Sequence, residues 1–202
     1  MLTLLFSAAL AATAPPEAVT FTGASDPDVI TLADGRSLRI GYGRLLPAHV
    51  EGFGENHALE LGYWDDHRGT YLRDPVLDEW AEVFVVNGGK HPIDVIADAC
   101  LETAMSTADM HGCLITQRTH WAAEVDRMWQ AVEAVRTQPE QTKAIRAARA
   151  QWEAHRAAQV EIIQMIYGQR DGTMWGLAAG ISRVDLLRDQ AVQLAELVVD
   201  AS

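Results

Sequence analysis

Seven histidines, at positions 49, 57, 67, 91, 111, 120 and 155, are the side chains here best suited to ligate a metal or move a proton near neutral pH. Their spacing yields neither HExxH nor any other helix-spaced ligand pair. His57 and His67 flank "ALELGYWDD" and, with Asp65 and Asp66, form the one combination able in principle to meet a metal. Solvated hairpin residues explain those four side chains better. No serine or threonine stands in a G-x-S-x-G elbow, and no phosphate-binding glycine loop is present. Cys100 and Cys113 lack the clustered CxxC spacing that zinc needs. The residues therefore call for no metal, no cofactor and no catalytic centre, and the expectation is a protein that is not an enzyme.

Binding chemistry is easier to place. The stretch "GQRDGT", residues 168–173, is polar, glycine-bounded and set between two helical patterns. Arg170 in such a loop can offer a carboxylate charge-assisted hydrogen bonds, with Asp171 beside it. A second loop, "NGGKHP", presents Lys90 and His91. The plain alternatives are a helix turn for the first and a linker for the second. Asp65, Asp66, Asp74, Asp78, Glu79 and Glu82 form an acidic cluster able to steer a cationic partner.

The overall charge points the same way. The chain has 202 residues and a formal net charge of −12, which argues against nucleic acid, a partner that requires a basic footprint. Residues 15–90 hold 13 acidic and 6 basic groups, and residues 91–202 hold 15 and 10. The first part is thus the denser in negative charge. The opening "MLTLLFSAALAATA" is uncharged and ends in an A-x-A pattern before two prolines, so residues 1–14 read as a signal peptide, although no Lys or Arg precedes the apolar run. Nothing after it is long and apolar enough to span a bilayer. Export to the periplasm or beyond makes a Cys100–Cys113 disulfide the default, two buried thiols being the alternative.

The elements that must carry these loops divide near residue 92. Six of the seven prolines and ten of the fifteen glycines lie at or before that point. Period-two patterning marks strands there: Leu38, Ile40 and Tyr42 alternate with polar neighbours, as do Leu59, Leu61 and Tyr63. "TYLRD" and "EWAEVFVV" are two further candidates, with turn signals "ADG", "DDHRG" and "NGG" nearby. Residues 15–90 are expected to form a small antiparallel β module of about five or six strands. Residues 91–202 read as helices over about 93–106, 110–136, 138–167 and 173–199, with "TADMHG" as a turn, Thr137 an N-cap and Gly168 a stop. Short connections favour an antiparallel four-helix bundle, and the fold class is α+β.

In the second helix Leu114, Trp121, Val125, Met128, Val132 and Val135 share a face with Arg118. In the third, Ile145, Ala148, Trp152, His155, Gln159, Ile162 and Ile166 follow three- and four-residue steps, which predicts a buried seam containing Trp152 and His155. Arg156, four residues after Trp152, can lie over the indole as a cation–π pair.

The helical half resembles the LprI-type lysozyme-inhibitor family over about residues 92–198. The carriers are "ACLETAMSTADMHGCL" with its two cysteines, Trp121 with "EVDRMW", "WEAHR" for W-x-x-[YF]-R, Gly172-Thr173, and "SRVDLLRDQAVQL". Arg149 stands where the family commonly has Gln, Val160 where a cysteine often follows, and Gln190 where an arginine is usual. "RSLRIGYGRLLP" and "HPID" look like parts of an accessory module that precedes such domains. The resemblance implies an exported, disulfide-stapled, non-enzymatic binding protein with Trp121, Trp152, Arg156, Gly172 and Thr173 as its packing signature. Its implied partner is a cationic protein such as lysozyme. The alternative is a structural or assembly factor of the cell envelope that docks a partner chain through its helices.

Overall fold

A computed structural model of the chain describes residues 16–26, 29–43, 54, 56–64, 69–87, 91–136 and 138–199. The expected signal peptide, the Asp65, Asp66 and His67 group, Lys90 and Thr137 lie outside the described residues.

The alternating apolar residues form six strands: β1 (Glu17–Asp26), β2 (Val29–Leu32), β3 (Ser37–Gly43), β4 (Ala58–Trp64), β5 (Gly69–Asp74) and β6 (Glu79–Asn87). They close in the order β1-β2-β3-β6-β5-β4 into an antiparallel barrel. Closure depends on β1 pairing with β4, with Glu17 opposite Leu61 and Val19 opposite Leu59. A closed barrel leaves no unpaired edge. Leu61, Leu72 and Ala81 are successive partners across β4, β5 and β6, and all three point into the barrel core with Ile30, Leu38 and Val83.

Asp74 shapes the β5–β6 turn. Its carboxylate is fully buried and accepts from the backbone N–H groups of Val76 and Leu77 and, at 2.8 Å, from Nε2 of His57. Burial would raise its pKa, but these hydrogen bonds outweigh it and hold the carboxyl below the usual value.

Four helices follow among the described residues: α1 (Pro92–Thr103), α2 (Thr107–Ala134), α3 (Pro139–Tyr167) and α4 (Thr173–Val199). The break between α1 and α2 comes earlier than "TADMHG" suggests. Ser106 accepts from the Asp109 N–H, and Asp109 accepts in return from the Ser106 hydroxyl and the Met105 N–H. That reciprocal cap puts residues 107–110 into the first turn of α2. Cys100 and Cys113 form a disulfide, with Cα atoms 5.8 Å apart, that ties α1 to α2.

The long helices α2 and α4 carry the core. Trp121, Val125, Met128 and Val132 pack in one cluster with Val184, Leu187, Ala191, Leu194 and Val198, joined by Ile93 of α1 and Tyr63 of β4. The expected four-helix bundle is not established by this packing. Helix α3 has no buried residue; it touches the cluster through the half-buried Ile145 and Trp152. His155, Ile162 and Ile166, expected on a buried seam, are exposed, as is Ile181 of α4. Spacing places residues on one face but does not say whether a neighbour covers it.

Candidate functional site

The α3–α4 corner is built by backbone geometry. The Gly168 N–H donates to the Gln164 carbonyl and closes α3, and the Arg170 N–H donates to the Tyr167 carbonyl at 3.2 Å. Gly172 has φ +109°, a conformation that costs a side-chain-bearing residue strain. Its carbonyl then accepts from Trp175 as Thr173 opens α4. Arg170, Asp171, Gly172 and Thr173 are all exposed here. The Arg170 guanidinium lies 4.2 Å from the centroid of the Trp175 ring, which in turn stacks near Tyr167 with centroids 6.1 Å apart.

Beneath the corner, α2, α3 and α4 leave an open cleft. One cavity of about 290 Å³ is lined by Arg118, Gln164, Tyr167, Trp175 and Arg183, among others. A second, of about 380 Å³, is lined by Arg118, Arg156, Val160, Arg183 and Leu187. Arg118 and Arg183 border both. Arg183 Nη2 donates to Gln164 Oε1 at 2.7 Å, and Arg156 lies 5.1 Å from the centroid of the Trp152 ring. Arg118 stands in the apolar series of α2, a polar residue in an otherwise apolar sequence pattern, and that was the signal available in the sequence. Arg183 had none beyond its place between Gly180 and Val184.

The barrel and the helices meet at a buried polar joint. Arg127 of α2 donates through Nε to Glu124 Oε2 at 2.9 Å, through its terminal nitrogens to Glu124 Oε1 and Glu82 Oε1, and at 3.5 Å to the Val83 carbonyl. Burial opposes its charge, but the two carboxylates hold its pKa above the ordinary arginine value. A Cβ on Gly69 would sit 2.8 Å from Arg127 Cδ, so only glycine leaves the guanidinium stem this path across β5.

His91 belongs to this joint and not to a projecting loop. It is the N-cap of α1: its Nδ1 accepts from the Ile93 N–H, and its Nε2 lies 3.3 Å from Thr70 Oγ1 and 3.8 Å from Glu124 Oε1. Its ring packs against Trp121 with centroids 4.4 Å apart. Burial, reinforced by Arg127 and opposed by Asp94, pushes its pKa down to about 3. Trp121 is itself buried and donates through Nε1 to Asp94 Oδ1 at 3.0 Å. Of the acidic cluster expected to steer a cationic partner, Asp65 and Asp66 lie outside the described residues, and three of the others have partners within the chain. Asp74 is sealed in its turn, Asp78 pairs with Arg73, and Glu82 pairs with Arg127.

Among the described residues no group of three or more His, Cys, Asp or Glu side chains could hold a metal ion, and no helix is long and apolar enough to cross a membrane. A paired-helix domain stapled by one disulfide, with an arginine-bearing corner, is the class that this half of the chain defines. The model of the family "Lysozyme inhibitor LprI" matches residues 97–194, which run from α1 into α4. No curated protein and no solved structure matches the chain.

Proposed function

We propose that the protein is an exported, non-enzymatic binding protein that inhibits lysozyme. The observation that carries this reading is the match of residues 97–194 to a family of lysozyme inhibitors. The proposed organisation is a signal peptide over 1–14, a β module over 15–90 and the LprI-type domain over 91–202, in the periplasm or secreted. Lysozyme cleaves its glycan with two carboxylates facing a cleft. A blocking segment must bring donors to them, and the exposed corner with Arg170 and Asp171 has the chemistry and the protrusion to do so. The net charge of −12 supports capture of a cationic target, since a field of that sign raises its on-rate.

A second reading has its own support. Ile162, Met165 and Ile166 of α3 and Met174 and Ile181 of α4 are exposed large apolar side chains, as expected of helices that dock a partner chain. Titration of the oxidised chain against a c-type lysozyme acting on bacterial cell walls separates the two. Near-stoichiometric inhibition, weakened about tenfold or more by Arg170→Ala, is the expected result. Absence of inhibition at large excess refutes the inhibitor reading, and loss with Met165→Asp but not Arg170→Ala moves the contact to the helix face.

A further inference from the structure

In a chain with 28 acidic and 16 basic side chains, carboxylates are in surplus and arginines should find them easily. Six do: Arg36, Arg73, Arg127, Arg146, Arg149 and Arg188 each pair with at least one carboxylate. Arg118, Arg136, Arg156, Arg170 and Arg183 show no carboxylate partner among the described residues, and of these Arg118, Arg156 and Arg183 line the cavities. These three are the arginines of the α2–α3–α4 cleft, and no Asp or Glu lines either of its cavities. Nε of Arg183 is buried without a hydrogen-bond partner among the described residues. Such a group keeps its desolvation cost until an acceptor arrives.

We propose that this cleft is a binding site for a small organic anion with an apolar body, a carboxylate or a phosphate monoester. Arg118 and Arg183, which border both cavities, hold the head group, and Arg156 flanks it. The guanidinium fork matches both head groups in two-point fashion. Leu114, Tyr167, Trp175 and Leu187 supply apolar and aromatic wall for the body. The cavities, about 290 and 380 Å³, are at the lower end of the range for small-ligand sites.

Charge decides against a larger occupant. A polyanionic macromolecule would lay its remaining charges on a surface that is net −12 and be repelled. A cationic protein would be drawn to that surface and turned away from the arginines. A small anion sits inside the cleft, within about one Debye length of the guanidinium groups, and escapes both conflicts. The site is independent of the inhibitor reading, and its test contains no lysozyme.

Isothermal titration of the full oxidised chain with octanoate, octyl phosphate and octyltrimethylammonium tests it. One octanoate or octyl phosphate should saturate per chain, with the tighter of the two identifying the head group, and the cationic amphiphile should not saturate. Arg118→Gln and Arg183→Gln should each weaken binding about tenfold or more. Arg118→Lys, which keeps the charge and loses the fork, should fall between parent and glutamine variant. No saturation with either anion up to about 10 mM overturns the proposal. So does equal binding of the cationic amphiphile, or unchanged affinity in both glutamine variants. Arg118 is exposed, so its variants report on binding even where Arg183→Gln perturbs the fold.

Discussion

Replacing Arg127 with methionine tests whether one guanidinium holds the barrel to the helices. Its side chain is 10 % exposed, against 4 % for Glu124 and 19 % for Glu82. Methionine fills much of the stem's volume, so the change removes charge and hydrogen bonds more than packing. Each ion pair at contact gains about 4 kcal/mol at an effective dielectric near 20, offset by several kcal/mol of desolvation per buried ion. The folded parent has already met that desolvation cost. The variant keeps the buried Glu124 and the partly buried Glu82 carboxylates with no cation between them, a situation that costs about 3–5 kcal/mol. Urea unfolding at pH 7.5 should show a loss of that size. The sign of its pH dependence follows from His91: burial and the Arg127 charge hold its pKa down, so without Arg127 its folded-state pKa moves up towards the unfolded value near 6.5. Protons then bind the folded variant more readily, so its deficit relative to the parent must shrink as pH falls to 5. Adding Glu124→Leu should restore about 2 kcal/mol or more, since removing both partners of a buried pair is far cheaper than removing one. A loss below about 1 kcal/mol at pH 7.5, or a deficit equal at both pH values, would refute the argument.

Two further outcomes follow from burial. Trp121→Ala should cost about 3–5 kcal/mol in urea unfolding, because the indole is buried and its removal also strips Asp94 of a donor, whereas the half-buried Trp152→Ala should cost about 1–2 kcal/mol; equal losses would mean that α3 is packed as tightly as α2. For His91 the folded pKa, about 3, lies below the unfolded value near 6.5, so the unfolded chain binds the extra proton between them. The stability this group contributes is complete above pH 6.5 and declines as pH falls towards 3, by about 2 kcal/mol at pH 5. His91→Asn keeps an N-cap acceptor and should flatten that slope, and an unchanged slope would show that another group sets it.

Much of the local structure was legible. Period-two runs at Leu38–Ile40 and Leu59–Leu61 lie on strands, and the helices at 139–167 and 173–199 start at Pro139 and Thr173, although Gln138 and not Thr137 is the N-cap of the first. Closure of the barrel was not legible, because it rests on residues 17–20 pairing with residues 58–61, and periodicity carries no information about such distant partners. His91 was misplaced for a related reason. Next to Lys90 and two glycines it reads as a loop residue, yet capping α1 turns its ring inwards against Trp121 and Thr70. The exposed loop position of Arg170 was legible from its bounding glycines. Arg183 was not, because its importance lies in what it lacks, a carboxylate, and only the packed structure shows that.

The polar seam of α3 and the open cleft explain one another. A helix with leucine in place of His155, Arg156 and Gln159 would have closed onto α2 and α4 as the bundle pattern predicts. With those residues, closing would bury a guanidinium and an amide without partners, at a cost of about 1–3 kcal/mol for each polar group and more for the charge. Ile145 and Trp152 are therefore the points of contact with the core, with Arg156 resting on the indole, and α3 has no fully buried residue. The gap so produced brings Arg118 and Arg183 to the walls of one space. Of these polar residues, Arg156 lines the second cavity with Arg118 and Arg183. Arg156→Leu together with His155→Leu should move the helix inwards and narrow it, with Arg118 becoming less accessible.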